Sequence, residues 1–277
     1  MTLALKRISE DTKQDGVQGF IYGPSGVGKT FAAASVGSDW VFITDRNGVL
    51  TLKSKLFKEK VGTDPFILEI VPDGSPTQPK MFDNLRNQID MLLAPATKND
   101  FRGIIIDDIN STRIGARNKA VDLNGALGRS KSGVNAASGK FKDIIIPTMA
   151  DFGTEMGLVE SFLRQFTDGM REEGKHSIVC GHERLYRNKA GDTNLVSFVK
   201  PLFTGQDTPD AIPGIFDFVW YIRTVGAGAA TKREFVTDSE GGILAKTRLG
   251  GLFPNPLRDK TMKDVFDRIE LWQKEGK

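Results

Sequence analysis

The chain of 277 residues contains very little cysteine and histidine: one cysteine, Cys180, and two histidines. A single cysteine excludes an intramolecular disulfide, and this small set of soft ligands argues against a structural zinc site. No apolar run approaches the ~18 residues that a membrane-spanning helix needs, and the first residues carry no apolar stretch of signal-peptide length. We therefore expect a cytoplasmic protein with no membrane partner.

Hydrophobic residues make up 39% of the chain and charged residues 26%, which is ordinary for a globular protein. These proportions exclude wholesale disorder, a collagen helix and a coiled-coil rod. Length alone allows one large domain or two small ones. Because the sequence shows neither an internal repeat nor a convincing linker, we predict a single domain over residues 1–277.

Charge is nearly balanced overall, with a formal net charge of +3, but it is unevenly distributed. The window 111–142 holds seven basic residues and one acidic residue, Asp122, so it carries +6 and the rest of the chain carries −3. The basic residues are Arg113, Arg117, Lys119, Arg129, Lys131, Lys140 and Lys142. A local asymmetry of this kind is more informative about partners than the overall charge.

Apolar runs of strand length alternate with amphipathic segments along most of the chain. The predicted strands are 17–22, 40–44, 66–71, 103–106 and 177–180, followed by shorter ones at 196–203, 216–222, 234–237 and 243–245. The predicted helices are 29–36, 81–93, a long one within 144–173 and a terminal one at about 260–273, while the polar segment 124–142 predicts a flexible loop. This order of elements predicts an α/β fold, with a mostly parallel central sheet and C-terminal antiparallel strands.

The sequence Gly23-Pro24-Ser25-Gly26-Val27-Gly28-Lys29-Thr30 fits the phosphate-loop pattern G-x-x-x-x-G-K-[ST] in full. It follows a predicted strand and opens a predicted helix, which is the context that the motif requires. Glycines let consecutive backbone N–H groups face a phosphate, Lys29 brings a charge to the β- and γ-phosphates, and the Thr30 hydroxyl ligates Mg²⁺. These eight residues are therefore the predicted ATP-binding site, with a plain glycine turn before a helix as the alternative.

A second motif, Gly103-Ile104-Ile105-Ile106-Asp107-Asp108, ends an apolar strand in two acids. Such a strand delivers a carboxylate to the carboxyl edge of the sheet, where ligands of α/β proteins bind. We predict that Asp107 holds Mg²⁺ together with Thr30. Asp108 either orients the attacking water or only caps the helix that follows.

Together with the strand 177–180 and the Gly181-His182-Glu183 that follows it, these motifs resemble the RecA-like core of P-loop NTPases. More closely, they resemble the small phage nucleotide-binding ATPases related to RecA, some of which are single-strand annealing recombinases. The resemblance extends from about residue 16 to residue 253. It implies a RecA-like fold, an ATPase that assembles as a homo-oligomeric ring or filament, single-stranded DNA as the partner, and the host cell cytoplasm as its location.

The resemblance also implies roles for three further residues. In this family a polar residue at the end of the strand after the metal-binding strand senses the γ-phosphate, and His182 matches that position. Lys246-Thr247-Arg248 resembles the K-x-R finger of RecA-like assemblies. Period-2 spacing places Lys246 and Arg248 on one face of a strand, from which both would reach the γ-phosphate of a neighbouring subunit. An ordinary strand-end histidine and a solvated strand end are the alternatives.

The chain departs from the family after its second strand, where RecA-like enzymes usually carry a glutamate that polarises the attacking water. The sequence there reads Thr44-Asp45-Arg46-Asn47-Gly48, without a glutamate. Either Asp45 replaces it in a shifted register, or turnover is slow. Nucleotide binding is therefore a firmer expectation than fast hydrolysis.

Residues 128–142 combine cations with small, flexible residues. Such a segment cannot bury a core, but it can follow a phosphate backbone and become ordered on binding. The predicted DNA-binding residues are Arg129, Lys131, Lys140 and Lys142, together with Phe141, which would stack on a base. A solvated loop with incidental charge is the alternative.

These observations favour an ATP-binding, Mg²⁺-dependent ATPase that assembles on single-stranded DNA in phage recombination or replication. The alternative from another class is a nucleotide-switched assembly or scaffold protein that hydrolyses little and binds no DNA. The missing glutamate favours this alternative, whereas the basic loop and the Lys246/Arg248 pair favour the ATPase. A small-molecule kinase is disfavoured, because the sequence contains no arginine-rich lid after a second substrate-binding motif.

Overall fold

The computed structural model describes residues 16–73, 79–94, 101–125, 147–187, 197–205, 208–226 and 232–275. Within these ranges the strands are β1 (Gln18–Gly23), β2 (Trp40–Thr44), β3 (Phe66–Glu69), β4 (Gly103–Asp107), β5 (His176–Arg187), β6 (Ser197–Pro201), β7 (Phe218–Val225), β8 (Lys232–Val236), β9 (Lys246–Thr247) and β10 (Leu257–Arg258). The helices are α1 (Lys29–Ala34), α2 (Arg46–Lys53), α3 (Lys55–Lys60), α4 (Met81–Leu93), α5 (Ile109–Leu123), α6 (Met149–Glu172), α7 (Thr208–Ala211) and α8 (Met262–Glu275), with a 3-10 turn at Ile212–Ile215.

One mixed sheet organises the fold, with the strand order β10-β8-β7-β1-β5-β4-β2-β3. The strands from β7 to β3 in this order run parallel, whereas β8 pairs antiparallel with β7, and β10 with β8. β9 pairs antiparallel with the start of β7, and β6 with the outer part of β5. The predicted α/β fold, mostly parallel with antiparallel C-terminal strands, is therefore confirmed.

Helices cover both faces of the sheet, which explains why β1, β2 and β4 are buried along their whole length. On one face, α4, α5 and α6 contribute Leu85, Ala116 and Phe162 to a large apolar cluster. On the other face, α1 and α8 contribute Ala33 and Phe266 to a second cluster. Burial on both sides fixes the positions of the strand ends.

The parallel register brings the predicted site residues to one edge of the sheet. Gly23 at the end of β1 lies opposite His182 of β5, and Thr44 at the end of β2 lies opposite Asp107 at the end of β4. These strands run in the same direction, so their carboxyl ends open on the same side. The phosphate loop, the acidic pair and His182 therefore share this edge.

The structure differs from the predicted elements mainly where polar residues dominate. The sequence pattern does not predict α2 and α3, which are rich in cations and begin at the side-chain caps of Asp45 and Ser54. Strand β5 continues to Arg187, beyond the apolar segment 177–180, because it forms a hairpin with β6. The terminal helix begins at Met262, two residues later than expected. No helix in the described ranges is both long enough and apolar enough to cross a membrane.

His176, at the start of β5, is almost completely buried. Its Nδ1 accepts a hydrogen bond from the Val17 N–H at 2.9 Å, and its Nε2 lies 3.2 Å from Glu270 Oε1. The ring also stacks on Trp40, with a centroid separation of 6.2 Å. Burial lowers the pKa of His176 below its ordinary value, against the opposing effect of the Glu270 carboxylate.

We expect the His176 imidazole to titrate below the ordinary histidine pKa of about 6.5, because protonation would break the bond from Val17 and charge a buried ring. Above that pH His176 contributes its full stabilisation, which is lost as the pH falls through the lowered pKa of the folded state. Chemical-shift titration of the two imidazoles measures this pKa, and His182→Gln identifies which signal belongs to His176. A His176 midpoint at or above about 6.5 would contradict the prediction.

Candidate functional site

The phosphate loop connects β1 to α1 through backbone conformations that favour glycine. Gly26 and Gly28 have φ angles of 77° and 96°, a region in which other residues are strained. Gly23 is restricted for a different reason, because a Cβ there would lie 2.4 Å from the Ile222 carbonyl oxygen. The glycines of the motif are therefore required by the loop's shape and surroundings.

Lys29, the first residue of α1, is held over this loop. Its Nζ donates to the carbonyl oxygens of Gly23 at 3.0 Å and Pro24 at 2.8 Å. Burial lowers the pKa of Lys29, although the nearby carboxylates of Asp107 and Asp108 oppose this effect. A buried ammonium group beside a glycine-rich loop is suited to binding an anion.

Thr30 and Asp107, the two predicted metal ligands, are in direct contact. Thr30 Oγ1 donates to Asp107 Oδ2 at 2.7 Å. Burial raises the pKa of Asp107 to about 6, against the hydrogen bond from Thr30 that lowers it. A hydroxyl and one carboxylate are hard oxygen donors, the kind of ligand with which proteins hold Mg²⁺ beside substrate phosphates. The residues present therefore fit this cation.

Asp108 caps the following helix, one of the two roles considered for it in the sequence, and it also contacts His182, which the sequence did not indicate. Its Oδ1 accepts the N–H groups of Asn110 and Ser111, each at 3.1 Å, and so caps α5. Its Oδ2 lies 2.9 Å from His182 Nε2. Burial raises the pKa of Asp108, but the hydrogen bonds from His182 and Ser111 outweigh burial, and the net shift is downward. Asp108 thus joins the helix start to the strand end that carries His182.

Two residues before His182, the thiol of Cys180 is completely buried in β5. Burial raises the pKa of this thiol well above its ordinary value.

A cavity of about 430 Å³ opens where these groups meet. The residues of the predicted motifs that line it are Ser25, Gly26, Gly28, Lys29, Thr30, Asp107, Asp108 and His182. Gly23 and Pro24 instead hold Lys29 through their carbonyls, and the Val27 carbonyl accepts a bond from Arg233. The structure thus brings both motifs and His182 around one space.

Asp45, considered in place of the missing glutamate, also lines this cavity. Its Oδ1 accepts the Gly48 N–H at 2.9 Å and caps α2, while its Oδ2 lies 3.5 Å from Ser111 Oγ.

The sequence analysis did not select Thr44, the neighbour of Asp45, although Thr44 lines the same cavity. The buried hydroxyl of Thr44 has no hydrogen-bond partner among the described residues. The sequence did contain a signal for Thr44, because it is the one polar residue at the end of the apolar strand 40–44.

Lys246 and Arg248 lie away from this cavity. Lys246 pairs with Val219 near the start of β7, and Phe218 pairs with Gly19 near the start of β1. Gly19 is four residues before Gly23, or ~13 Å along a strand. Arg248 donates to the Gly214 carbonyl at 2.7 Å, and its Nη1 lies 3.7 Å from Asp217 Oδ1.

Burial lowers the pKa of Lys246, and the charge of Arg248 lowers it further. Two neighbouring cations at the amino edge of the sheet do not reach their own phosphate loop, and their action on a neighbouring subunit stays a prediction.

The predicted DNA-binding residues lie outside the described residues, so DNA binding by this loop stays a prediction. They are Arg129, Lys131, Lys140, Phe141 and Lys142.

Comparison with known proteins places this arrangement in a family. The family model described as AAA domain matches residues 15–249, which is most of the chain. No curated protein matches the chain. The matched region contains the phosphate loop, the acidic strand end, His182 and the mostly parallel sheet that positions them. The chain therefore belongs to the AAA domain family of nucleotide-binding P-loop NTPases.

Proposed function

We propose that the protein is an ATP-binding, Mg²⁺-dependent ATPase. One observation carries the proposal: Thr30 Oγ1 lies 2.7 Å from Asp107 Oδ2 in the cavity that Lys29 also lines. A hydroxyl and a carboxylate at this distance, beside a phosphate-binding lysine, supply the protein ligands of a cation that also binds nucleotide phosphates.

Each side chain has a distinct role in this proposal. Lys29 compensates charge on the β- and γ-phosphates, and His182, bonded to Asp108, contacts the γ-phosphate. Thr30 and Asp107 would hold Mg²⁺, which when bound stabilises the charge that develops on the transferred phosphoryl group. The buried Asp107 carboxylate is unfavourable by itself, so a bound cation would also relieve its desolvation.

The contacts of the two candidate water-orienting acids favour slow hydrolysis. Asp108 is bonded to two helix N–H groups and to His182. Asp45 uses one oxygen to cap α2. A carboxylate that already accepts these bonds is less available to orient a water molecule. These contacts favour, as the second candidate function, a nucleotide-switched assembly protein with little turnover.

We propose single-stranded DNA as the partner, on the basis of the basic window and the resemblance to small phage ATPases related to RecA. In the described part of this window the cations are paired: Arg113 and Arg117 bind Glu155, and Lys119 binds Asp83. These pairs make the three cations poor candidates for phosphate contacts. The charge that supports DNA binding therefore resides in Arg129, Lys131, Lys140 and Lys142.

We also propose that the protein acts as a homo-oligomer, a ring or a filament, in which Lys246 and Arg248 approach the nucleotide of a neighbouring subunit. Their distance from their own phosphate loop supports action across a subunit boundary. An arginine in such a position stabilises transition-state charge and couples hydrolysis to assembly.

Lys29→Ala should weaken ATP binding at least tenfold, or about 1.4 kcal/mol, because it removes the cation that faces the phosphates. Stability should change little, since Lys29 Nζ bonds loop carbonyls and supports neither apolar cluster. Titration with a fluorescent ATP analogue and thermal unfolding measure the two effects. Lys53→Ala, which removes an exposed lysine of α2, is the matched control. Equal ATP affinity in Lys29→Ala and wild type would refute the phosphate-loop assignment.

Arg248→Ala should reduce ATP hydrolysis and leave ATP binding unchanged, because the finger would act on a neighbour's nucleotide. Mixing Arg248→Ala with Lys29→Ala subunits creates interfaces that join an intact phosphate loop to an intact finger. Hydrolysis measured across mixing ratios should therefore partly recover. No recovery in mixtures shown to co-assemble would mean that Arg248 does not act in trans.

Replacing Arg129, Lys131, Lys140 and Lys142 with serine should weaken single-stranded DNA binding and flatten its salt dependence. Losing four phosphate contacts lowers the magnitude of the slope of log K against log salt by about 2.8, at about 0.7 per contact. Fluorescence anisotropy at several salt concentrations measures both quantities. ATP binding should persist, because the phosphate loop is unchanged.

The control for this variant replaces four exposed cations of α2, α3 and α8 with serine, namely Lys53, Lys58, Arg268 and Lys274. Affinity and slope equal to wild type in the loop variant would place DNA elsewhere or exclude it, and would favour the scaffold function.

A further inference from the structure

Thr44, the last residue of β2, carries a hydroxyl group that has no hydrogen-bond partner among the described residues. The residue is completely buried, yet it forms part of the wall of the cavity that Lys29 and Thr30 also line. Enclosing an unpaired hydroxyl lowers stability, and native proteins leave few buried polar groups unpaired. An unpaired hydroxyl in a cavity wall therefore points to a partner that arrives with a ligand.

Packing does not require this hydroxyl. The four residues before it in β2 are apolar and buried, and valine, which has nearly the shape of threonine, would continue this pattern without an unpaired group. A Cβ on Gly48 would overlap Thr44 Oγ1, so the first turn of α2 closes tightly over the hydroxyl. The cavity is thus the side from which a ligand would approach it.

Thr44 lies next to the predicted metal ligand Asp107. The two residues are partners in the parallel register of β2 and β4, so their Cα atoms are about 4.8 Å apart. Phe42 and Ile105, two residues earlier on each strand, both belong to the apolar cluster on the α1 face of the sheet. Because side chains alternate along a strand, Thr44 and Asp107 also project to that face, where Thr30 bonds Asp107. Thr30 and Thr44 are therefore both neighbours of Asp107.

We propose that Thr44 Oγ1 accepts a hydrogen bond from a water ligand of the Mg²⁺ that Thr30 and Asp107 would hold. The proposal rests on the proposed function and adds a positioning residue to its metal site. Thr30 and Asp107 supply two oxygen ligands, whereas Mg²⁺ requires octahedral coordination and keeps several waters beside substrate phosphates. The protons of these waters need acceptors, and Thr44 Oγ1 is an acceptor without a donor. The bond would fix the orientation of one water and, through it, of the cation.

Thr44→Val tests the hydroxyl in the full chain, through the contribution of Mg²⁺ to nucleotide binding. Titration with a fluorescent ATP analogue in Mg²⁺ and in EDTA gives the factor by which Mg²⁺ strengthens binding. This factor should fall about tenfold in Thr44→Val, as is typical when a partner of a metal ligand is removed, while the affinity in EDTA stays unchanged. Thr44→Ser keeps the hydroxyl and should retain the wild-type factor.

Thr112→Val is the matched control. Thr112 is also completely buried, with a hydroxyl that has no partner among the described residues, but it lies on α5 and does not line the cavity. Without nucleotide, both valine variants should unfold at a higher temperature than wild type, because each removes an unpaired group. Only Thr44→Val should lose the Mg²⁺ effect. A lower unfolding temperature of Thr44→Val alone would show that its hydroxyl is already bonded and would overturn the proposal.

An unchanged Mg²⁺ factor in a folded Thr44→Val variant would overturn the role of Thr44, and so would an equal loss of affinity in Mg²⁺ and in EDTA. Thr44→Ala also lacks the hydroxyl and needs less space, so it replaces Thr44→Val in these measurements if the valine variant does not fold. A wild-type chain that binds the analogue equally well in Mg²⁺ and in EDTA would overturn the metal site and, with it, the role of Thr44. One that does not bind the analogue would overturn nucleotide binding itself, so these failures are distinguishable.

Discussion

The parallel register of β1, β5, β4 and β2 is the constraint on which the site depends. It aligns four strand ends so that the phosphate loop, His182, Asp107 and Thr44 meet around one cavity. A slip of β4 by one residue would turn Asp107 to the opposite face of the sheet and separate it from Thr30. The apolar residues Ile104, Ile105 and Ile106 are completely buried, alternately in the two clusters, so such a slip would exchange both sets of core contacts.

This rigid sheet supports charges that are unfavourable by themselves. Burial lowers the pKa of Lys29 and raises that of Asp107 to about 6, so each charged form is disfavoured by its surroundings. The two groups partly compensate each other, and Thr30 adds a hydrogen bond to the carboxylate. Buried ionisable groups with perturbed pKa values around a cavity are typical of functional sites. The apolar clusters on both faces supply the stability that allows such an arrangement.

Features carried by contiguous residues were predictable from the sequence, whereas contacts between distant segments were not. The phosphate loop and Asp107 are recognisable because each motif lies next to a strand that positions it. The bond between Arg233 and Val27 joins residues 206 positions apart, and nothing in the local sequence of β8 indicates it. Similarly, Arg113 and Arg117 count as free charge in the sequence, but the fold pairs both with the buried Glu155 of α6.

The buried thiol of Cys180 makes the chain convenient for site-specific chemistry. The thiolate is the form of cysteine that attacks thiol-reactive reagents. The raised pKa and complete burial of this thiol leave little thiolate accessible at neutral pH. Cys180 is also the only cysteine of the chain. A cysteine introduced at an exposed position would therefore be modified selectively without removal of the native one. Fluorophores or spin labels could then report distances in a protein whose core sequence is unaltered.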